Sequence, residues 1–281
     1  GDALTVVEVA VGTGTNTAAL IEAVERSGLR LRWWGLELDP APLELALGDE
    51  RFRAQWSPVA LRGLEAMAAG DRILWGEART RLPELLERLE GHCDLVLLDA
   101  FSPRHCPELW SLEFLGQLAR LLGPSGRLIS YSSAAAVRQA LELAGLKLAA
   151  IALPDPKACG VSRPGASGES CRSVPGIATG AESSASGPPA ARSGWSGGTV
   201  ASPSTLPTTR VLRPLSRMER EHMASAAGEP YRDPGGTAVA AEILAARARA
   251  QAGSGAEPSS AWQRRWGMER RRITGSLPRS E

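Results

Sequence analysis

Val9-Ala10-Val11-Gly12-Thr13-Gly14-Thr15-Asn16 is the stretch on which the fold turns. An apolar run, Val6 to Val11, enters the glycines, as a buried parallel strand does. A helical pattern leaves them, with Ala19, Leu20, Ala23 and Val24 on one face of Asn16 to Glu25. Gly12 and Gly14 allow tight backbone geometry and close ligand approach, and the helix start offers unpaired N–H groups. Open α/β sheets bind nucleotides at such a strand–loop–helix junction. The plainer alternative is that the glycines only turn the chain. A dinucleotide fingerprint would need a third glycine where Thr17 stands, which disfavours a nicotinamide enzyme. The shorter pattern E-x-x-x-G-x-G, from Glu8 to Gly14, suits a ligand without a pyrophosphate.

Outward from this loop, strands and helices alternate. Strands are expected at Leu31 to Leu38, Arg72 to Trp75, Asp94 to Leu98, Arg127 to Ser132 and Leu146 to Leu153. Helices are expected at Leu82 to Leu89, Leu109 to Leu122 and Ala134 to Ala144, the second stopping at the turn Gly123-Pro124-Ser125-Gly126. This alternation implies an α/β fold with a mostly parallel, doubly wound sheet.

Carboxylates stand at the expected strand ends. Glu37 ends the second strand, where it can accept both ribose hydroxyls of an adenosine. Glu77, followed by Ala78, comes after the third and could accept from an adenine amino group. Either acid alone could be merely solvated. Asp99 closes the fourth strand in Leu97-Leu98-Asp99-Ala100-Phe101-Ser102-Pro103. It could instead cap a helix.

Composition bounds the rest. The 281 residues are 43% hydrophobic, enough for one large core with attachments, and the formal net charge is +1. That balance neither demands nor excludes a polyanionic partner. Of 32 basic residues only Lys147 and Lys157 are lysine, as a GC-rich genome would produce. Cys93, Cys106, Cys159 and Cys171 lack metal-ligand spacing and read as reduced thiols of a cytoplasmic protein; no metal is expected. No apolar run reaches membrane-spanning length, and no signal peptide is visible. The chain opens without Met just before a strand, so a preceding segment is expected.

Four regions are expected. Residues 1–153 form the core. Residues 154–197, rich in Gly, Ser, Ala and Pro, form a low-complexity insertion expected to be disordered and dispensable. Residues 198–207 hold a last core strand and linker. Residues 208–281 form a basic, aromatic tail with a helix at Ala238 to Gln251 and clusters at Trp262 to Trp266 and Arg270 to Arg272. These clusters could touch nucleic acid or dock on the core.

The pattern L-D-x-F-[SA]-P at Leu98 to Pro103, followed by Pro107-Glu108-Leu109-Trp110, resembles the methyltransferase domain of the MnmC family. Glu8 to Asn16 resembles that family's glycine loop, and Ser130 to Arg138, then Leu141 and Gly145-Leu146, its later T-[SA]-A-x-x-V-R segment. Pro214-Leu215-Ser216, Glu221-His222 and Pro230 to Pro234 are similar to cyanobacterial single-domain members. The resemblance covers about residues 4–152 and 198–268; Glu77 stands where Asp is usual. No second dinucleotide fingerprint follows, so the flavin-dependent oxidase half is not expected.

The resemblance implies a Rossmann-like, class I fold and S-adenosyl-L-methionine as cofactor, held by Glu8, Gly12, Gly14, Asn16, Glu37, Glu77 and Ala78. It implies N-methylation of the aminomethyl group on the tRNA wobble uridine, with Asp99 accepting the proton and Phe101 stacking on the base. Two alternatives stay open: a small-molecule amine N-methyltransferase or aminopropyltransferase-like enzyme, and a non-catalytic S-adenosyl-L-methionine-binding module.

Overall fold

The computed structural model describes residues 3–152 and 196–268. The expected insertion, but for Ser196 and Gly197, and the cluster Arg270 to Arg272 lie outside the described residues, as do Cys159 and Cys171. The chain runs β1 (Ala3–Val9), α1 (Thr15–Ser27), β2 (Arg30–Glu37), α2 (Ala41–Gly48), α3 (Glu50–Arg53), α4 (Pro58–Ala69) and β3 (Ile73–Trp75). It continues through α5 (Ala78–Leu89), β4 (Cys93–Leu98), a 3-10 turn (Pro107–Trp110), α6 (Leu112–Leu121), β5 (Leu122–Ser130), α7 (Ala135–Leu143) and β6 (Lys147–Ile151). After residue 195 come β7 (Gly198–Ser202), β8 (Leu212–Arg213), α8 (Arg217–Ala224), α9 (Ala240–Gly253) and α10 (Ser259–Arg265).

The strands form one sheet in the order β3-β2-β1-β4-β5-β7-β6-β8. The pairings among β1 to β5 are parallel, while β7 runs antiparallel to both β5 and β6. The α/β, mostly parallel sheet is as expected. Strand order reverses between β1 and β4, so their carboxyl ends flank the crevice where doubly wound sheets bind ligands.

Residues alternate sides along β1, and both sides are covered. Val7 and Val9 enter one core with Leu82 and Leu85 of α5, Phe114 and Leu118 of α6, and Val137 and Leu141 of α7. Val6 enters a second with Ala18 of α1, Trp33, Leu43 of α2 and Leu64 of α4. Burial on both faces is why β1 reads as a continuous apolar run rather than an alternating one.

Several boundaries differ from the sequence reading. β1 ends at Val9 because Ala10 adopts φ +61. α6 begins at Leu112, capped by the Ser111 side chain accepting from Phe114 N–H, and Pro107 to Trp110 is a 3-10 turn. Residues 123–126 belong to β5: Leu122 pairs with Cys93, and the register shifts before Leu95 meets Arg127. The sheet also extends beyond residue 207, because β8 pairs with β6. The region read as a tail is therefore partly core.

Candidate active site

β1 delivers the chain into the crevice at Ala10, and Gly12 and Gly14 both take positive φ. A Cβ on Gly12 would meet nothing within 4 Å, so its open side faces free space. A Cβ on Gly14 would lie 2.8 Å from Leu64 Cδ1 and 2.9 Å from Leu43 Cδ1. Gly14 thus lets α1 seat against α2 and α4. A larger residue there would strike this packing, rather than fill ligand space as a sequence reading suggests.

Three carboxylates surround the loop. Glu37 Oε2 accepts from Gly12 N–H at 2.8 Å, and its Oε1 accepts from Leu38 and Asp39 N–H. Oε2 retains acceptor capacity toward a hydroxyl. Asp99 Oδ2 accepts from Asn16 Nδ2 at 2.7 Å, tying the end of β4 to the first turn of α1. Asp99 therefore caps no helix; its partner is the glycine loop. Glu8 is fully buried beneath the loop, accepting from the Thr17 hydroxyl at 2.6 Å and Trp33 Nε1 at 3.1 Å. Its Oε1 has no hydrogen-bond partner among the described residues. Burial pushes the Glu8 carboxyl up to about 7 against those two donors, with Asp99 and Glu37 adding like charge.

Glu77 is placed differently. It caps α5 by accepting from Thr80 N–H, and its other oxygen accepts from Arg79 Nε at 2.9 Å. Arg79 reaches on to the buried Asp233 and the Ala238 carbonyl, binding the C-terminal region to the core. Gly76 N–H donates to the Glu37 carbonyl, so Glu77 and Ala78 do lie beside Glu37 at the crevice rim.

Phe101, two residues beyond Asp99, is 82% exposed. Its carbonyl accepts from Trp110 Nε1 at 2.8 Å and from the Cys106 thiol at 3.0 Å. The preceding Ala100 carbonyl accepts from the Tyr131 hydroxyl at 2.9 Å. Burial raises the Cys106 thiol to about 11, so it is a hydrogen-bond donor and not a thiolate nucleophile. Tyr131 is a site residue that sequence reasoning missed: half-exposed, edge-on to Trp110, and close enough to Asp99 for that charge to help burial raise its phenol. Its sequence signal is its place after β5, inside the segment Ser130 to Arg138 that carries the family resemblance.

The aromatic tail is not a free face. Trp262 is buried and stacks on His222 with ring centroids 4.0 Å apart. Trp266 donates to Glu221, and Arg265 pairs with Glu221 and Glu257. Among the described residues, no His, Cys, Asp and Glu cluster is arranged for a metal, and no helix is long and apolar enough to cross a membrane.

Residues 54–152 match a family described as S-adenosyl-L-methionine-dependent methyltransferase. That match spans about a third of the chain and, with the fold, relates it to methyltransferases of that class. The chain is 32% identical over 162 residues to the tRNA 5-methylaminomethyl-2-thiouridine biosynthesis bifunctional protein MnmC of Pseudomonas fluorescens, covering 53% of this chain and 25% of that one. It is 30% identical over 169 residues to the protein of that name from Aeromonas salmonicida, covering 52% and 25%. It thus spans about a quarter of the length of these curated relatives. The crystal structure of MNMC2 from Aquifex aeolicus matches with a TM-score of 0.59 and 24% identity, over 88% of this chain and 67% of that one. That likeness supports the fold.

Proposed function

We propose that this methyltransferase N-methylates the aminomethyl group of the tRNA wobble uridine, with Asp99 taking the amine proton. The observation that carries the reading is the 2.7 Å bond from Asn16 to Asp99, which holds a carboxylate against the glycine loop at the switch point. The names of the curated relatives support the substrate class.

The residues present fit the cofactor. Open space in front of Gly12 leaves room for it, and Glu37 Oε2 can accept from ribose hydroxyls. Leu38, 70% exposed just after Glu37, offers an apolar surface to an adenine ring. Glu8 shapes the loop from beneath through Thr17 and Trp33, and Glu77 and Ala78 line the rim. When bound, S-adenosyl-L-methionine supplies an electrophilic methyl carbon on a sulfonium.

An alkylamine is mostly protonated at neutral pH, near pKa 10. Asp99 binds the ammonium, accepts one proton, and turns the freed lone pair toward the methyl carbon. Held by the glycine loop and Glu37, the cofactor would supply the methyl carbon to this lone pair, with sulfur as the leaving group. Asn16 keeps Asp99 from rotating out of line. A cytoplasmic site of action accords with this substrate.

Asp99→Asn tests the reading. Calorimetry should show S-adenosylhomocysteine binding within about threefold of wild type. Single-turnover methylation of tRNA bearing the aminomethyl uridine should slow roughly a hundredfold to ten-thousandfold at neutral pH, recovering at high pH. A near-normal neutral rate would remove Asp99 from the chemistry. Parallel loss of cofactor affinity would assign it to the cofactor pocket.

A further inference from the structure

The loop after Asp99 carries a cation that the protein itself leaves unused. Arg104 is exposed and makes no hydrogen bond or ion pair with the described residues. Arg247 of α9 is committed to the carbonyls of Ala227 and Glu229 and lies 4.5 Å over the Tyr231 ring. After burial, the like charge of Arg104 is a further cause holding the Arg247 guanidinium below its ordinary pKa. Arg104 thus stands exposed, within electrostatic reach of Arg247.

An exposed arginine is ordinarily just solvated. This one is three residues from Phe101, whose ring is exposed on a backbone held by Tyr131, Trp110 and Cys106. An aromatic ring kept in water on a fixed peptide loses little entropy when something stacks on it. Tyr131, 46% exposed, is anchored to the Ala100 carbonyl of the same peptide run. Carboxylate, aromatic surfaces and unpaired guanidinium therefore converge within one loop cluster.

We propose that Arg104 anchors a backbone phosphate of an RNA acceptor while Phe101 and Tyr131 hold the acceptor uridine's own base beside Asp99. The proposal rests on the reading of Asp99 as the amine's proton acceptor. It makes the loop a selector: a polyanionic substrate engages Arg104, and a free nucleoside does not. Guanidinium suits this task because its fork donates two parallel bonds to phosphate.

The test measures fluorescence anisotropy of a labelled anticodon stem-loop RNA across a salt series, with wild type, Arg104→Ala, Arg104→Lys and Tyr131→Ala. Methylation of the same RNA and of free 5-aminomethyluridine is followed in parallel. Arg104→Ala should weaken RNA binding roughly fivefold to tenfold at low salt and reduce the salt slope by about one. It should raise KM for RNA, leave kcat at saturation unchanged, and leave the nucleoside rate unchanged. Arg104→Lys should restore the slope but only part of the affinity. Tyr131→Ala should weaken RNA and nucleoside alike.

Unchanged RNA affinity and slope in Arg104→Ala would overturn the anchor, even if wild type methylates tRNA normally. Equal losses on RNA and nucleoside in Arg104→Ala would also overturn it. Should wild type bind the stem-loop with the Arg104-dependent slope yet transfer no methyl group, the anchor stands and the chemistry assigned to Asp99 falls.

Discussion

Ala10 occupies φ +61, the left-handed region, and among the described residues it is the only non-glycine to do so. A Cβ there costs about 1–2 kcal/mol, which glycine would not incur. Glycine also gives the unfolded chain more freedom, worth roughly 0.5–1 kcal/mol against it. Ala10→Gly should therefore raise stability by up to about 1.5 kcal/mol, read as a higher urea midpoint with unchanged m. A lower midpoint would mean that the Ala10 methyl, at the margin of the core, contributes more by packing than it costs in strain. Glu8 gives a second prediction at this scale. Its folded pKa is about 7 against 4.5 unfolded, so between these values the folded state keeps a proton the unfolded chain has released. Its contribution is complete below pH 4.5 and is lost as pH rises toward 7, on the order of 3 kcal/mol in all. Glu8→Gln stays neutral, so its stability relative to wild type should improve between pH 5 and pH 8 in denaturant titrations. A difference that does not change with pH would remove Glu8 as the titrating group. The strand-end acids were legible in the sequence because a strand's end fixes where its last side chain stands. The role of Tyr131 was not legible, because its exposure beside Asp99 comes from the pairing of β4 with β5.

At the scale of elements, the glycine loop and the first strands were readable, but α2, α3 and α4 went unseen. Their signals are local: Asp49 and Ser57 cap α3 and α4, and Pro40 and Pro58 stand at the starts of α2 and α4. They were masked because α2 is apolar with little sidedness, so its pattern lacks a clear stripe. Glu77 was half-legible: its place after the third strand was read, but not that it caps α5 and pairs with Arg79, which is also tied to Asp233, far along the chain. α10 was visible only as a basic, aromatic run, and its partner His222 lies on α8. Trp262→Ala should cost about 3–5 kcal/mol, as for other buried aromatic truncations. Thermal unfolding read by circular dichroism should show it. A change under 1 kcal/mol would mean that α10 rests on the surface instead of being built into it.

Across the whole molecule, the doubly wound half was predictable because β1 to β5 follow in local strand–helix units. The other half is ordered by long-range placement. β7 inserts between β5 and β6, although β6 precedes it in the chain, and no local pattern announces that. Arg138 of α7 fixes the arrangement: fully buried, it donates to Thr199 of β7, Ser196 and Glu219 of α8. Glu219 also receives Arg213, and although burial opposes its charge, these donors hold its carboxyl down to about 2. A buried charge left without its counter-charge is expensive, so this junction accepts the return of the chain only in one register.

The return itself is narrow. Gly197 N–H donates to the Ile151 carbonyl at 2.9 Å, so the chain leaves the sheet and re-enters it at adjacent points. For a protein engineer this is a socket. A guest domain whose own termini lie about 5 Å apart, one strand spacing, could be spliced there without stretching the host. The host would register mainly the entropy of a longer loop, about 0.6 kcal/mol for each doubling of length.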